Sequence, residues 1–332
     1  MEILKEVLGH YSIYPLEIEK VSSRLFRVHD GMRDYALKRS YLNENTIESW
    51  VSIYHVASEK NISEILPVYV TKDGSLYQKH EHFYYYLTPW VDIPRNMDIN
   101  YQIESTMQTL ALIHKKTKQT ERIQIDKIKK DFEGFQSFCR NIPDSLKEKI
   151  VHFESRRYMS PFELIACSQY KGVVHVSELL QNKMNAIFEL EEESVSWSKS
   201  LCHGKLEPSH CRGGYLLNWE EASFDHPSSD IANYFQHITG HYDQPIEEMQ
   251  QAFKLYRKTN HLTVKEMHLL TINLLNPAHY IRVVQNYTEQ RTKKSMLEQT
   301  RELQQHFRRL QFGMKWVDFI QEEYETINVD TN

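Results

Sequence analysis

The stretch Leu201–Phe235, LCHGKLEPSHCRGGYLLNWEEASFDHPSSDIANYF, concentrates side chains that could do chemistry. Cys202-His203 and His210-Cys211 are two Cys–His neighbours, and zinc accepts such donors. Successive strand residues point to opposite sides, so the four converge only around a sharp loop. A buried His203 with ordinary thiols is the plainer expectation. Lys205 adds a cation, while Glu207, Glu220, Glu221 and Asp225 add carboxylates. Glu220, two residues after Asn218, is the best substitute metal ligand, against the alternative of a local cap or salt bridge. No G-x-S-x-G acyl-transfer motif is present. Upstream, Tyr35-Ala36-Leu37-Lys38 is an alternating strand ending in a lysine, which can carry an ammonium to phosphate groups or simply face solvent.

These residues need a scaffold, and 332 residues with 40% hydrophobic content suffice for one bilobal domain or two ordinary ones. Apolar runs stay well below the ~18 residues of a membrane span, and the start MEILKEVLGHYSIYP lacks a signal peptide's pattern, so no membrane passage is expected. Four scattered cysteines, Cys139, Cys167, Cys202 and Cys211, predict free thiols. With 40 basic against 45 acidic residues and no basic block, nucleic acid is not an expected partner. The run Tyr84-Tyr85-Tyr86 is expected to be core.

The first part of the chain reads as a short helix over residues 2–11, strands over Ile13–Val21, Leu25–His29 and Asp34–Lys38, and a helix over Thr46–Lys60. Ile65–Val70, the Asp73-Gly74 turn, Leu76–Gln78 and Phe83–Leu87 complete a sheet of about five strands. From Asp98 the pattern turns helical: Tyr101–Lys118, Asp131–Arg140, Asp144–Arg156, Pro161–Ser168 and Val174–Glu193. After the opening stretch come Asp230–Thr239, Pro245–Lys258, Val264–Gln290 divided or kinked at Pro277, and Lys293–Thr326. In the last, Leu303, Phe307, Leu310, Met314 and Val317 form a heptad-like seam expected to pack on its own domain.

Tyr35–Lys38, the strand break at Tyr86–Trp90, His203-Gly204, the apolar pair Leu216-Leu217 and Asp230-Ile231-Ala232 together resemble the kinase-like fold of aminoglycoside phosphotransferases. Within that group, ALKRSYL, LPVYVTKDGSLYQ and YYYLTPW resemble the spore-coat-associated kinase-like proteins of the CotS and YsxE type. The resemblance implies an α+β bilobal protein-kinase-like fold. Residues 1–88 would be a small antiparallel sheet with one helix, and residues 89–332 a mostly helical lobe containing the catalytic loop 203–232. It further implies that Lys38 faces nucleotide, that the backbone at Leu87 and Thr88 reads an adenine edge, and that His203 and Asp230 order the loop; of the acids Glu44, Glu48 and Glu59, Glu48, inside the helix one turn from its start, is the expected partner of Lys38. Synthesis in the sporulating mother cell, residence in the spore coat and coat proteins as partners are implied as well.

The departures then decide the mechanism. An active relative would have a proton-accepting Asp at position 205 and magnesium ligands, Asn and Asp, at 210 and 218; this chain has Lys205, His210 and Asn218. A lysine is no carboxylate base, and magnesium prefers hard oxygen donors to imidazole. The change of about three charges undermines electrostatic stabilisation, the main source of rate in phosphoryl transfer. The expectation is a pseudokinase without functional catalytic residues, cofactor or metal, acting as a structural or assembly component of the coat. The alternative is a divergent phosphotransferase for a hydroxyl or amino substrate, using ATP with magnesium through Lys38, Lys205 and Glu220.

Overall fold

The computed structural model describes residues 2–92, 98–188, 194–240 and 243–325. The chain forms two compact units, one of Met1–Lys118 with Ser200–Asp225, the other of Gln119–Lys199 with His226–Asn332.

The first unit begins with helix α1 (Glu2–His10), followed by strands β1 (Glu17–Lys20), β2 (Leu25–His29) and β3 (Asp34–Arg39), helix α2 (Ile47–Glu59), and strands β4 (Gln78–His80) and β5 (Phe83–Pro89). The strands form one antiparallel sheet in the order β1-β2-β3-β5-β4. Alternation along β5 sorts its aromatic run between two cores. Tyr85 and Leu87 pack with Leu4, Val7 and Leu8 of α1, whereas Tyr84 and Tyr86 pack with Ile47 and Trp50 of α2. All three tyrosines are buried. Ile65–Val70 is not a strand of this sheet. Pro67 interrupts it, Leu66 donates to the Leu216 carbonyl at 3.2 Å, and Tyr69 donates to the Leu87 carbonyl at 2.8 Å.

Helix α3 (Ile99–Thr117) is capped by Asp98, which accepts from the Asn100 amide, and continues the same unit. In the second unit follow β6 (Gln119–Gln124), α4 (Ile125–Glu154), α5 (Pro161–Phe188) and the start of β7 (Ser194–Cys202). Residues Ser194–Lys199 of β7 pair with β6, and residues Ser200–Cys202 pair in the first unit with β10 (Ser223–Asp225), after the hairpin of β8 (Cys211–Arg212) and β9 (Tyr215–Leu216). The second unit resumes with α6 (Ser228–Ile238), α7 (Ile246–Thr259), α8 (Val264–Leu275), α9 (Ala278–Thr288) and α10 (Met296–Ile320). Pro277 divides α8 from α9, as its ring requires.

The two helices expected on either side of residues 141–143 are one helix, α4, with Pro143 inside it. A proline there cannot donate to the carbonyl four residues back, which belongs to Cys139. Ser177 of α5 supplies the missing donor: its Oγ lies 2.5 Å from the fully buried Cys139 carbonyl oxygen. The two helices expected within Pro161–Glu193 are likewise continuous as α5, their predicted end at Glu193 lying outside the described residues. The seam of α10 packs on its own unit: Leu303, Leu310 and Val317 join its core and Phe307 and Met314 pack against it. The predicted end of that helix at Thr326 also lies outside the described residues.

Candidate functional site

Lys38 lies directly across from Tyr86 in the β3–β5 register, so both side chains leave the sheet on the α2 face. There Tyr86 is wedged by Trp50, the ring centroids 4.9 Å apart. Its hydroxyl donates to Glu220 Oε1 at 3.0 Å, and the Tyr41 amide donates to Glu220 Oε2 at 3.2 Å. Glu220 sits in the 3₁₀ turn Trp219–Glu221 and forms an ion pair with Lys38 at 2.8 Å. The partner of Lys38 is therefore Glu220 and not Glu48. Glu48 is exposed on the first turn of α2. Burial lowers the Lys38 pKa against the opposing pull of Glu220, while burial, reinforced by Glu220, raises that of Tyr86 well above the phenolic range.

From Lys38 a directed chain of hydrogen bonds runs through Asn218 and His210. The ammonium donates to Asn218 Oδ1. The Asn218 amide nitrogen lies 3.1 Å from His210 Nε2, and His210 Nδ1 lies 3.0 Å from the Lys205 carbonyl oxygen. Since an ammonium only donates and a carbonyl only accepts, both ends fix the direction. Asn218 presents its oxygen to Lys38 and its NH₂ to His210, and His210 is a neutral imidazole protonated at Nδ1. Burial, with neighbouring His203 second, brings the His210 pKa down to about 3. Asn218 holds this place from a left-handed backbone, φ 67°, a conformation Asn tolerates better than most residues.

His203 supports the loop beneath. Its Nε2 donates to the Leu217 carbonyl at 2.7 Å and its Nδ1 accepts from the Lys205 amide at 3.3 Å. Gly204, at φ +79°, comes so close to the Glu221 backbone that a Cβ would lie 2.1 Å from that carbonyl oxygen. Glycine is thus required there for packing. Lys205 points outward, its side chain 54% exposed, and meets Glu221 at 3.5 Å. Asp230 is fully buried in the first turn of α6, in the second unit.

The zinc arrangement is not formed. The rings of His203 and His210 stack at 5.1 Å with planes 22° apart, so their in-plane nitrogens do not converge. The thiols of Cys202 and Cys211 face the carbonyls of Asp225 and Glu207. Magnesium is no better served. The Asn218 oxygen and Glu220 are bound to an ammonium, and the His210 lone pair accepts from an amide.

Next to this chain lies a cavity of about 320 Å³. Leu25, Ala36, Leu66 and Leu217 are among its apolar lining residues, and Lys38, Asn218, Arg24 and Arg212 among its polar ones. Of the two expected edge-reading residues, Thr88 lines the cavity and Leu87 does not. Leu87 is fully buried in the core under α1, and its carbonyl accepts from Tyr69. Pro89 has no amide hydrogen, and that of Trp90 donates to the Asp34 carbonyl at 3.1 Å.

Residues 4–318 match the family model described as "Spore coat putative kinase YutH". Among curated proteins none matches. An aminoglycoside phosphotransferase from Alicyclobacillus acidocaldarius has a similar structure, with TM-score 0.74 and 18% identity over 97% of this chain and 96% of that one. The AMP-bound spectinomycin phosphotransferase APH(9)-Ia gives TM-score 0.59 and 16% identity over 94% of this chain and 96% of its own. Amicoumacin kinase hAmiN, solved with AMP-PNP and Ca²⁺, gives 0.55 and 14% over 95% and 93%. These likenesses show the kinase-like fold. The match is to YutH, where the sequence phrases pointed to the YsxE branch. No helix among the described residues is long and apolar enough to cross a membrane.

Proposed function

The chain belongs to the spore coat kinase family YutH, and from that premise we propose that it is a pseudokinase, a component of the coat that acts by binding rather than by phosphoryl transfer. The observation that carries this reading is the continuous chain from Glu220 through Lys38, Asn218 and His210 to the Lys205 carbonyl. In phosphoryl transfer the protein supplies position and countercharge: a carboxylate takes the nucleophile's proton, and metal ligands hold the phosphates. Here the lysine that would meet phosphate is neutralised internally. The metal positions satisfy one another, and the base position carries an exposed ammonium.

The cavity beside the chain supports a binding role, since a lining of mixed apolar and polar side chains suits a small organic ligand. Synthesis in the mother cell and assembly with other coat proteins belong to the same reading, in line with the family's name. The test is calorimetric titration of the purified protein with ATP, with and without magnesium, alongside Lys38→Ala. The expected result is no magnesium-dependent binding in either protein. Magnesium-dependent binding that Lys38→Ala abolishes would overturn the pseudokinase reading and restore the transferase.

A further inference from the structure

The second unit holds a cavity of about 230 Å³ walled by α6, the end of α8, α9 and α10. It is lined by the amide side chains of Asn233, Gln236 and Asn273 and by Arg309, and the exposed residues Asn276 and His279 stand at its rim. Arg309 is the unusual member. Its Nε donates to the Gln236 backbone carbonyl at 2.8 Å and its Nη1 lies 3.3 Å from His306 Nδ1, both neutral acceptors. Burial lowers the Arg309 pKa, and among the described residues no carboxylate offsets that effect. A guanidinium stays charged under all ordinary conditions, so desolvating it without a countercharge is unfavourable.

Beside Arg309 the imidazoles of His279 and His306 are held neutral by burial, and Arg282 is the further cation. His306 stacks on His279 at 5.3 Å, with Arg282 close to His279 and Lys294 close to His306. The acid acting on both histidines is Glu302, and it is held by Lys294 at 2.7 Å. We propose that this cavity is a binding site for a small oxyanion, a carboxylate- or phosphate-bearing compound, with Arg309 as its principal ligand. A planar fork of donors matches either anion with paired hydrogen bonds, and the volume leaves room for a small organic body beyond the anionic group.

The full-length protein is titrated with inorganic phosphate and, separately, with sodium acetate, at ionic strength held constant with chloride, following melting temperature and amide NMR shifts. Saturable stabilisation by at least one anion is expected, and which of them acts identifies the anionic group. Arg309→Gln should weaken the response about tenfold or more. Asn276→Asp keeps the oxygen that accepts from the Ala278 amide at 3.0 Å while adding a negative charge at the rim, so it should weaken binding without unfolding the helix start. The amide shifts caused by the anion should fall around Arg309 and not around the cavity of the first unit, which separates the two sites. No saturable response to either anion would overturn the proposal, as would an unchanged response in Asn276→Asp or in a folded Arg309→Gln.

Discussion

If Lys38 is a structural cation, removing it must be costly in a way that removing a phosphate-binding lysine is not. The pair with Glu220 is 2.8 Å long, with side chains 21% and 7% exposed. At an effective dielectric constant near 20, the direct attraction is roughly 6 kcal/mol. Desolvation of the two ions offsets most of it, so the net worth of the intact pair is small. Breaking one side is different. Lys38→Met leaves Glu220 charged with only the Tyr86 hydroxyl and Tyr41 amide to meet it, and strands the Asn218 oxygen. Complete burial would make this loss about 3–5 kcal/mol; the partial exposure of Lys38 brings the expectation to about 2–3 kcal/mol.

Glu220→Gln keeps an acceptor for Tyr86 and should cost about 1–2 kcal/mol, because the ammonium left behind retains some solvent. In the double variant no charge is stranded, so it should be more stable than the sum of the single losses by about 1–2 kcal/mol. Urea unfolding of the four proteins at neutral pH and fixed salt measures this cycle. Strict additivity, or a Lys38→Met variant within about 0.5 kcal/mol of the parent, would refute the structural role.

Ser177→Ala should lower stability by about 1–3 kcal/mol by leaving the Cys139 carbonyl without its donor. In a Pro143→Ala background, where residue 143 regains its own amide hydrogen, the loss should shrink to about 0.5 kcal/mol or less; equal losses in both backgrounds would show that Ser177 does not substitute for that hydrogen. The pH dependence of stability should carry the mark of His210. With its folded pKa near 3 and an ordinary histidine value of 6.5 when unfolded, the unfolded chain binds more protons between those values. The His210 contribution is therefore complete above about pH 6.5 and is lost as pH falls towards 3, about 5 kcal/mol in all. Chemical unfolding at pH 7, 6 and 5 should show a shallower decline for His210→Asn than for the parent, and parallel declines would contradict the neutral, amide-bonded imidazole.

Much of the fold was legible because its patterns are local. The strands Leu25–His29 and Asp34–Arg39 and helix α2 follow their turn signals and spacing within a residue or two. The strand β6, QTERIQ, was missed because it is largely exposed and polar, so no apolar alternation marks it. The unbroken α4 could not be read either, since the hydroxyl that compensates for Pro143 lies on another helix. The three substituted positions of the site were plain in the sequence. Their mutual bonding was not, because Lys38 meets Glu220 across 182 residues of chain, whereas Glu48 lies on the helix that follows the strand of Lys38. One signal for the Lys38 environment did exist: pairing β3 against β5 places Lys38 opposite Tyr86, which anchors Glu220.

The direction of the hydrogen bonds through Asn218 constrains how such a site can change over generations. Asn218→Asp alone, nominally a step towards an active ancestor, would set an acceptor-only carboxylate against the lone pair of His210. The imidazole would then have to take up a proton, placing a second cation beside Lys38, or move its hydrogen to Nε2 and give up the Lys205 carbonyl. Of these two positions, a path that begins at His210 avoids that conflict, whereas one that begins at Asn218 meets it first. On the pseudokinase reading the pair acts as a ratchet: each substitution is simple by itself, but their order of reversal matters because of which atom donates and which accepts.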